Sequence, residues 1–263
     1  MAESGVTAAG AVAYDDLFRA LPPEWADDLL PAIQQRVRAG GRTLVVLDDD
    51  PTGTQTVHDV PVLTAWDLES LAHELASAPP VFYILTNSRS LPLHAAQAMN
   101  QIIGHNLAEA SRQVGRRVAV VSRSDSTLRG HFPGEVEALA EGLGTAFDAW
   151  LIIPFFLEGG RYTIHNVHYV QEGAQLIPAG ETPFARDAAF GYCASDLSHW
   201  VAEKTGGRIS AGEVACITLD DIRLGGASCV ADRLKALPHG AICAVNAASY
   251  RDLEVFVLGL RCP

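Results

Sequence analysis

The chain has 263 residues, a formal net charge of −12 and an apolar fraction of 48%. This length and composition suffice for a packed core in one large α/β domain or two small ones. The negative charge argues against a nucleic-acid-binding surface and against binding to anionic membranes, and no apolar run is long enough to span a bilayer. We therefore expect neither nucleic acid nor a membrane as a partner.

The N-terminal segment MAESGVTAAGAVAYDD lacks the basic region and the long apolar run of a secretory signal. The five cysteines are odd in number and have no C-x-x-C spacing, which is typical of reduced thiols rather than of disulfides or a zinc site. The sequence thus predicts a cytoplasmic protein. Residues 1–12 are predicted to be a disordered lead-in, and residues 13–263 to form an α/β domain.

Taken in chain order, short apolar strands alternate with amphipathic helices. The pattern predicts strands at 43–47, 60–64, 81–85, 117–121, 149–153, 213–219 and 241–245. It predicts helices over 15–39, with an interruption at Pro22-Pro23, and over 67–77, 92–113, 135–141, 196–204, 227–237 and 250–260. This alternation specifies a Rossmann-like α/β fold, a mainly parallel sheet with helices on both faces.

One segment departs from the alternation. Between residues 155 and 183, glycines and prolines separate short β-like stretches. We interpret this segment as an irregular β excursion, and specifically as a hairpin flap over a binding site.

The first predicted strand runs directly into three carboxylates, Asp48, Asp49 and Asp50, and then into the loop PTGTQT. In an open α/β sheet, ligands bind just past the carboxyl ends of the strands. Three adjacent carboxylates repel one another, so they require a cation, donor groups or solvent nearby. This stretch is therefore the predicted centre of a site for a small polar ligand, and the alternative is a solvated acidic turn.

Two further polar loops follow predicted strands. The string SRSDSTLRG follows the fourth strand and contains Arg123 and Arg129, which suit two-pronged recognition of a carboxylate or phosphate. It also contains Asp125, which could act as a general base. The string TNSRS follows the third strand and adds Arg89 as an anion ligand. An ordinary capped loop, with Asp125 paired to Arg129, is the alternative for the longer string.

A glycine-bearing segment, EGGRYTIHNVH, adds Arg161, His165 and His168. The two histidines do not have the spacing of a helical zinc site, and no third ligand is evident. We expect hydrogen bonding rather than metal binding from both, with a structural role equally open.

These strings resemble the N-terminal substrate domain of the four-carbon acid sugar kinases, which phosphorylate threonate-like and erythronate-like acids or their oxo forms. The family's DDxTG loop is matched by Asp49 to Gly53, and its DSTLRG loop by Asp125 to Gly130. A third element resembles Gly160-Arg161-Tyr162-Thr163. The resemblance covers roughly residues 42–260. One departure is Asp48, which stands where the family has alanine.

The resemblance implies that a bound sugar acid is phosphorylated by ATP. One of three arginines, Arg89, Arg129 or Arg161, would hold the substrate carboxylate, and aspartates would accept hydrogen bonds from its hydroxyls. Asp50 or Asp125 would be the catalytic base for attack on the γ-phosphate, with Mg²⁺ neutralising the phosphates. The predicted substrate-binding residues are Asp49, Thr52, Gly53, Ser88, Arg89, Ser124, Ser126, Thr127, Arg129, Gly160, Arg161 and His165.

In this family ATP is held by a C-terminal domain, and this sequence contains no glycine-rich phosphate loop with a lysine. We expect ATP and Mg²⁺ to serve the complete kinase and not to be held by this chain alone, which would then be almost inactive. The expected partner is an ATP-binding domain, in cis or as a separate chain. Apolar residues of the last helix, such as Phe256 and Leu260, are expected to be exposed and to favour a homo-oligomer.

Two other interpretations stay open. The stretch LVVLDDDPT also fits the haloacid dehalogenase-type phosphatases, with Asp48 as nucleophile, Asp50 as acid/base, Mg²⁺ as cofactor and Lys204 as a third motif. That interpretation leaves DSTLRG unexplained. The other is a non-catalytic module that only binds an acid sugar.

Overall fold

The computed structural model describes residues 10–53, 57–123 and 127–260. The chain divides into two compact units. Unit 1 combines Met1–Asp27 with Ala149–Pro263, and unit 2 is the continuous segment Asp28–Asp148.

The strands and helices follow one another much as the sequence pattern predicts. The strands are β1 (Val12–Ala13), β2 (Arg42–Asp48), β3 (Val62–Leu63), β4 (Val81–Leu85), β5 (Arg117–Arg123), β6 (Ala149–Ile152), β7 (Arg161–Ile164), β8 (Val167–Glu172), β9 (Gln175–Pro178), β10 (Ala215–Ile217) and β11 (Ala241–Val245). The α-helices are α1 (Tyr14–Arg19), α2 (Leu30–Gly40), α3 (Leu68–Ala76), α4 (Leu93–Val114), α5 (Gly134–Leu143), α6 (Leu197–Lys204), α7 (Leu219–Arg223), α8 (Gly226–Lys235) and α9 (Tyr250–Leu260).

Unit 2 contains a parallel sheet with strand order β3-β4-β2-β5. Side chains alternate along each strand, so one set from β2 and β4 enters the core beside apolar residues of α3, α4 and α5. The register places Asp48, the last residue of β2, opposite Leu85 of β4 and Arg123 of β5. The loops that follow these three strands therefore begin at one edge of the sheet, as the sequence predicts.

Unit 1 contains a second parallel sheet, with strand order β10-β11-β6. The α/β class, with helices flanking parallel strands, is confirmed. The parallel strands form two sheets and not the single sheet that was expected, because β6 pairs with β11 and not with β5. Strand β6 has the sequence AWLI and is apolar enough to pair with either β5 or β11. Its partner β11 lies almost a hundred residues later in the chain, so the local sequence of β6 does not specify the pairing.

The predicted β excursion is an antiparallel sheet with strand order β1-β9-β8-β7. It is not a flap, because Tyr162, Ile164 and Leu176 are buried in a cluster that also contains residues of α7 and the segment before α9. Strands β7 and β8 are joined by His165 and Asn166, whose φ angles of 51° and 66° give the left-handed conformation of a tight hairpin turn.

Three element boundaries differ from the prediction for local reasons. The first predicted helix is two helices, α1 and α2, because the segment containing Pro22-Pro23 is not helical. Val12 lies inside the predicted lead-in but pairs with Leu176 in β9. The strand predicted at 213–219 is shorter, because the Thr218 side chain accepts a hydrogen bond from Asp221 N and caps α7.

The final helix exposes less apolar surface than expected. Phe256 is 1% exposed, whereas Leu260 is 48% exposed. Gly259 allows this packing, because a Cβ on that residue would lie 2.7 Å from the Ala227 carbonyl oxygen of α8. No helix in the described part of the chain is both long enough and apolar enough to cross a membrane.

Candidate functional site

The loop after β2 is organised by the carboxylate of Asp50. Its Oδ1 accepts hydrogen bonds from Thr52 N at 2.9 Å and from Thr52 Oγ1 at 2.8 Å. Gly53 N donates to the Asp50 carbonyl oxygen at 3.0 Å. This local pairing is the turn that a carboxylate before Pro-Thr-Gly favours, and it holds one face of Asp50 in place.

Arg89 joins the two neighbouring carboxylates. Its Nε and Nη2 donate to the two carboxylate oxygens of Asp49 at 3.0 and 2.7 Å, and its Nη1 donates to Asp50 Oδ2 at 2.8 Å. Paired, charge-assisted hydrogen bonds of this kind fix a guanidinium in one orientation. We call this arrangement of Arg89, Asp49 and Asp50 the Arg89 clamp.

Asp48, the residue before the clamp, forms a second charge pair, with Arg123. Its Oδ1 accepts from Arg123 Nη1 at 3.2 Å and from Asp50 N at 3.4 Å, and the residue is fully buried. Its Oδ2 has no hydrogen-bond partner among the described residues. A Cβ built on Gly53 would lie 2.0 Å from that oxygen, so only glycine leaves room for the Asp48 carboxylate.

The loop after β4 supports the acidic loop from the adjacent strand. Thr86 donates to the Asp48 carbonyl oxygen from both N and Oγ1, at 2.8 and 3.0 Å. Asn87 then adopts a left-handed conformation with φ of 52°, and a 3₁₀ turn covers Ser88–Ser90. This turn carries Arg89 toward Asp49, whose carbonyl oxygen accepts from Arg89 N at 3.3 Å.

Two buried polar residues next to this turn were not singled out from the sequence. Glu135 of α5 is 2% exposed and Asn100 of α4 is 4% exposed, and Asn100 Nδ2 donates to Glu135 Oε1 at 3.1 Å. The signal in the sequence was a polar residue on the core-facing side of each helix. That signal is weak, because helix faces often carry single polar residues.

Burial and pairing shift the pKa values of the three carboxylates in different directions. Burial raises the pKa of Asp48 and of Asp49, although Arg123 and Arg89 respectively oppose that rise. Burial would also raise the pKa of Asp50, but the two hydrogen bonds from Thr52 and the charge of Arg89 hold it below its usual value. Asp50 is thus the carboxylate of the loop whose ionised form is most favoured.

Among the described residues of this loop, Asp48 Oδ2 is the carboxylate oxygen that a cation would find unpaired. Each of the three carboxylates of the loop is hydrogen-bonded to a guanidinium group. Within residues 10–53, 57–123 and 127–260, no cluster of three or more His, Cys, Asp or Glu side chains could hold a metal ion. The guanidinium-paired carboxylates suit hydroxyl groups and anions, whereas Mg²⁺ prefers an octahedral set of oxygen ligands with several waters.

The DSTLRG loop is described only from Thr127 onward. The predicted residues Ser124, Asp125 and Ser126 lie outside the described residues. Thr127 and Leu128 are buried and have φ angles of 58° and 63°, and Arg129 is partly buried. Two successive left-handed non-glycine residues are uncommon and are kept only where the surrounding structure fixes them.

The remaining predicted residues belong to unit 1. Gly160 has a φ of 64° and precedes Arg161, whose guanidinium lies 4.9 Å from the ring centre of Phe184. His165 is exposed at the β7–β8 turn. His168 is fully buried, and its Nδ1 lies 3.1 Å from Thr163 Oγ1. Burial and the nearby charge of Arg161 lower the pKa of His168 to about 3, so it is neutral at physiological pH.

Residues 44–262 match the family model of the sugar-binding N-terminal domain. The chain belongs to this family. The predicted relation to the N-terminal domain of the four-carbon acid sugar kinases is thereby confirmed at the level of the family. No curated protein is significantly similar to the chain in sequence.

Solved structures share the fold of this sugar-binding N-terminal domain at low sequence identity. A Haemophilus influenzae protein of the DUF1537 family is 18% identical with a TM-score of 0.56, over 82% of this chain and 51% of that one. A domain of unknown function (DUF1537) from Bordetella bronchiseptica is 20% identical with a TM-score of 0.56, over 83% of this chain and 55% of that one. The chain thus spans about half the length of the solved structures it matches.

Proposed function

We propose that this chain binds a four-carbon sugar acid at the Arg89 clamp and is the substrate-binding part of an ATP-dependent sugar-acid kinase. The observation that carries the proposal is the clamp itself, at the carboxyl edge of a parallel sheet in a sugar-binding family. A sugar acid combines one carboxylate with several hydroxyls. The clamp and its surroundings combine guanidinium donors with carboxylate acceptors, which is the complementary set.

The two halves of the clamp differ in exposure. The side chain of Asp49 is 2% exposed and that of Asp50 is 25% exposed. A ligand carboxylate can therefore replace Asp50 on Arg89 Nη1 at lower cost than it can replace the buried, doubly bonded Asp49. In this proposal Asp49 keeps Arg89 in position. The ligand carboxylate takes the place of Asp50 on Arg89, and Asp50 then binds a hydroxyl of the ligand.

Asp50, once released, is placed to accept a hydrogen bond from a ligand hydroxyl. Its lowered pKa keeps it ionised at neutral pH, and Thr52 still fixes its other oxygen. In phosphoryl transfer, an aspartate of this kind orients the attacking hydroxyl and accepts its proton. We assign this role to Asp50, with Asp125 as the alternative from the sequence. The predicted contributions of Gly160, Arg161 and His165 also stay predictions.

ATP and Mg²⁺ would come from an ATP-binding domain, in cis or on a separate chain. Because the described carboxylates are paired with arginines, no catalytic step through Mg²⁺ is assigned to them. The Bordetella bronchiseptica relative is a domain-swapped dimer with bound citrate. Citrate is a hydroxy acid, which supports this ligand class, and the dimer supports the expectation of a homo-oligomer.

Calorimetric titration tests the proposal. The purified chain is titrated with D-threonate, D-erythronate, citrate and the uncharged polyol erythritol, with and without Mg²⁺. We expect one sugar acid to bind without Mg²⁺ and erythritol not to bind, because erythritol lacks the carboxylate. Arg89→Lys should weaken binding at least about tenfold, because a lysine cannot donate to Asp49 and to the ligand carboxylate from one rigid plane.

Absence of binding to every acid at millimolar concentration would contradict the proposal. Mg²⁺-dependent release of phosphate from sugar phosphates, lost in Asp48→Asn, would instead favour the phosphatase interpretation. Binding without phosphorylation, even when an ATP-binding partner is supplied, would favour a module that only binds.

A further inference from the structure

The turn that carries Arg89 is held by the start of α5. His131 Nε2 lies 2.9 Å from the Leu91 carbonyl oxygen, directly after the Ser88–Ser90 turn. The Ser88 hydroxyl lies close enough to the Glu135 carboxylate to lower the pKa of that group. The segment from His131 to Glu135 therefore lies against the turn at both of its ends. A Cβ on Gly134 would lie 2.9 Å from Leu93 Cδ1, so α5 approaches the start of α4 closely here.

Glu135 is the centre of a small buried polar cluster. Ser88 is 1% exposed, Asn100 4% and Glu135 2%. Asn100 Nδ2 also donates to the Ala96 carbonyl oxygen of its own helix at 2.9 Å, which fixes the orientation of the amide toward Glu135. A carboxylate in such a place costs stability unless it is fully hydrogen-bonded. Replacement of such a group by an apolar residue of similar volume is often neutral or stabilising.

The cluster is connected to the clamp in two ways: through the peptide bond between Ser88 and Arg89, and through the hydroxyls of Ser88 and Thr86. Ser88 precedes Arg89, and Ser88 Oγ lies 3.1 Å from Thr86 Oγ1, which contacts the Asp48 carbonyl oxygen. Asn87 has a left-handed φ of 52°, a conformation that asparagine adopts more readily than most residues. A displacement of Ser88 would act directly on the backbone of Arg89, to which it is bonded, and so on the contacts of the guanidinium with Asp49.

We propose that Glu135 is a positioning residue, which through Ser88 sets the orientation of Arg89 in the clamp and so the affinity for a hydroxy acid. The claim about affinity rests on the proposed function, whereas the claim about orientation does not. The charged groups within reach of Glu135 are Asp49, which raises its pKa, and His131, which lowers it. Burial is the larger cause and raises the pKa of Glu135.

The test uses Glu135→Gln in the full chain, with Glu141→Gln as the matched control. Glu141 lies on the same helix but is exposed. The first readout is the Arg89 Nε–H resonance in ¹H–¹⁵N spectra of the ligand-free protein, assigned by its loss in Arg89→Lys. We expect Glu135→Gln to shift or broaden this resonance and to remove one step from its pH titration. Glu141→Gln should leave both unchanged.

The second readout separates positioning from packing. Because the folded state raises the pKa of Glu135, it binds the carboxyl proton more tightly than the unfolded chain, and stability falls as pH rises through that range. Glu135→Gln should therefore have a higher thermal midpoint than the wild type at pH 7, and the difference should shrink as pH falls. At the same time, affinity for whichever of D-threonate and D-erythronate the wild type binds should fall about tenfold. A packing role alone would not raise stability while it weakened binding.

An unchanged Arg89 resonance in folded Glu135→Gln would overturn the proposal. If that variant does not fold, Ser88→Ala removes the other side of the contact and must show the same resonance change, and an unchanged resonance there is equally decisive. If the wild type binds neither D-threonate nor D-erythronate, the proposed function fails, while the resonance still decides whether Glu135 orients Arg89.

Discussion

Arg89 donates to both carboxylate oxygens of Asp49, at 3.0 Å from Nε and 2.7 Å from Nη2, across a separation of forty residues. The parallel pairing of β2 with β4 makes this possible, because it places the ends of both strands at one edge. The pair is mostly buried, so its geometry and its charge both matter to stability.

Replacing Arg89 by lysine tests that geometry. A lysine keeps the charge but cannot donate to both oxygens from a rigid plane. We expect Arg89→Lys to lower the free energy of unfolding by about 1–3 kcal/mol in urea titration, because Asp49 stays buried with poorer hydrogen bonds. Arg112→Lys, on an arginine side chain that is 72% exposed on α4, should change stability by less than about 0.5 kcal/mol. Equal effects of the two substitutions would contradict this account.

Gly53 tests the packing of the acidic loop. A Cβ there would lie 2.0 Å from Asp48 Oδ2 and 2.4 Å from Asp48 Cγ, so the carboxylate must move away from Arg123. We expect Gly53→Ala to cost about 1–3 kcal/mol in chemical denaturation. Gly212→Ala is the control, because a Cβ at that position meets nothing within 4 Å. A neutral Gly53→Ala would show that the carboxylate can rearrange freely.

A substitution at Thr52 tests the cause of the lowered pKa of Asp50. Its hydroxyl and backbone N–H both lower the pKa of Asp50, which burial alone would raise. Stability from ionised Asp50 is fully present above the unfolded pKa and is lost as pH falls through the lower folded pKa. In Thr52→Val the backbone bond remains but the hydroxyl bond is lost, so the ¹³C titration midpoint of the Asp50 carboxyl should rise. Thr64→Val, at another exposed threonine of unit 2, should leave that midpoint unchanged, and an unshifted midpoint in Thr52→Val would refute the assignment.

The lowered pKa of His168 predicts that the stability of unit 1 depends on pH. The unfolded chain binds a proton at this histidine below about pH 6.5, whereas the folded state does so only below about pH 3. Stability should therefore rise with pH across this window, by up to about 1.4 kcal/mol per pH unit. His168→Gln should flatten the pH dependence of the thermal midpoint between pH 6.5 and 3. The exposed His105→Gln should behave like the wild type, and a similar slope in all three proteins would exclude the effect.

Local sequence pattern accounted for most elements and for the edge where the polar loops begin. Strand β4 and helix α9 have the predicted bounds, and α3 begins next to Asp67, the first residue of the predicted helix, whose side chain accepts a hydrogen bond from Ser70 N. These features depend on neighbours a few residues apart, where periodicity and capping chemistry decide the outcome.

Long-range pairing could not be derived in the same way. The sequence suggested Arg89 as an anion ligand, and only the β2–β4 register shows that Asp49 and Asp50 already pair with it. Strand β6 has the composition of any buried strand, and its partner β11 follows almost a hundred residues later. Glu135 was overlooked because its importance comes from Ser88 and Asn100, which belong to other elements.

The division of the chain into one continuous and one interrupted unit has a consequence for how the protein is made. Unit 2 has been synthesised completely once residue 148 leaves the ribosome, and it can fold as a unit from that moment. Strand β1 precedes unit 2 in the chain, whereas its partner, the stretch around Leu176 in β9, follows unit 2. The hydrogen bonds between these two strands can therefore form only after all of unit 2 has been synthesised.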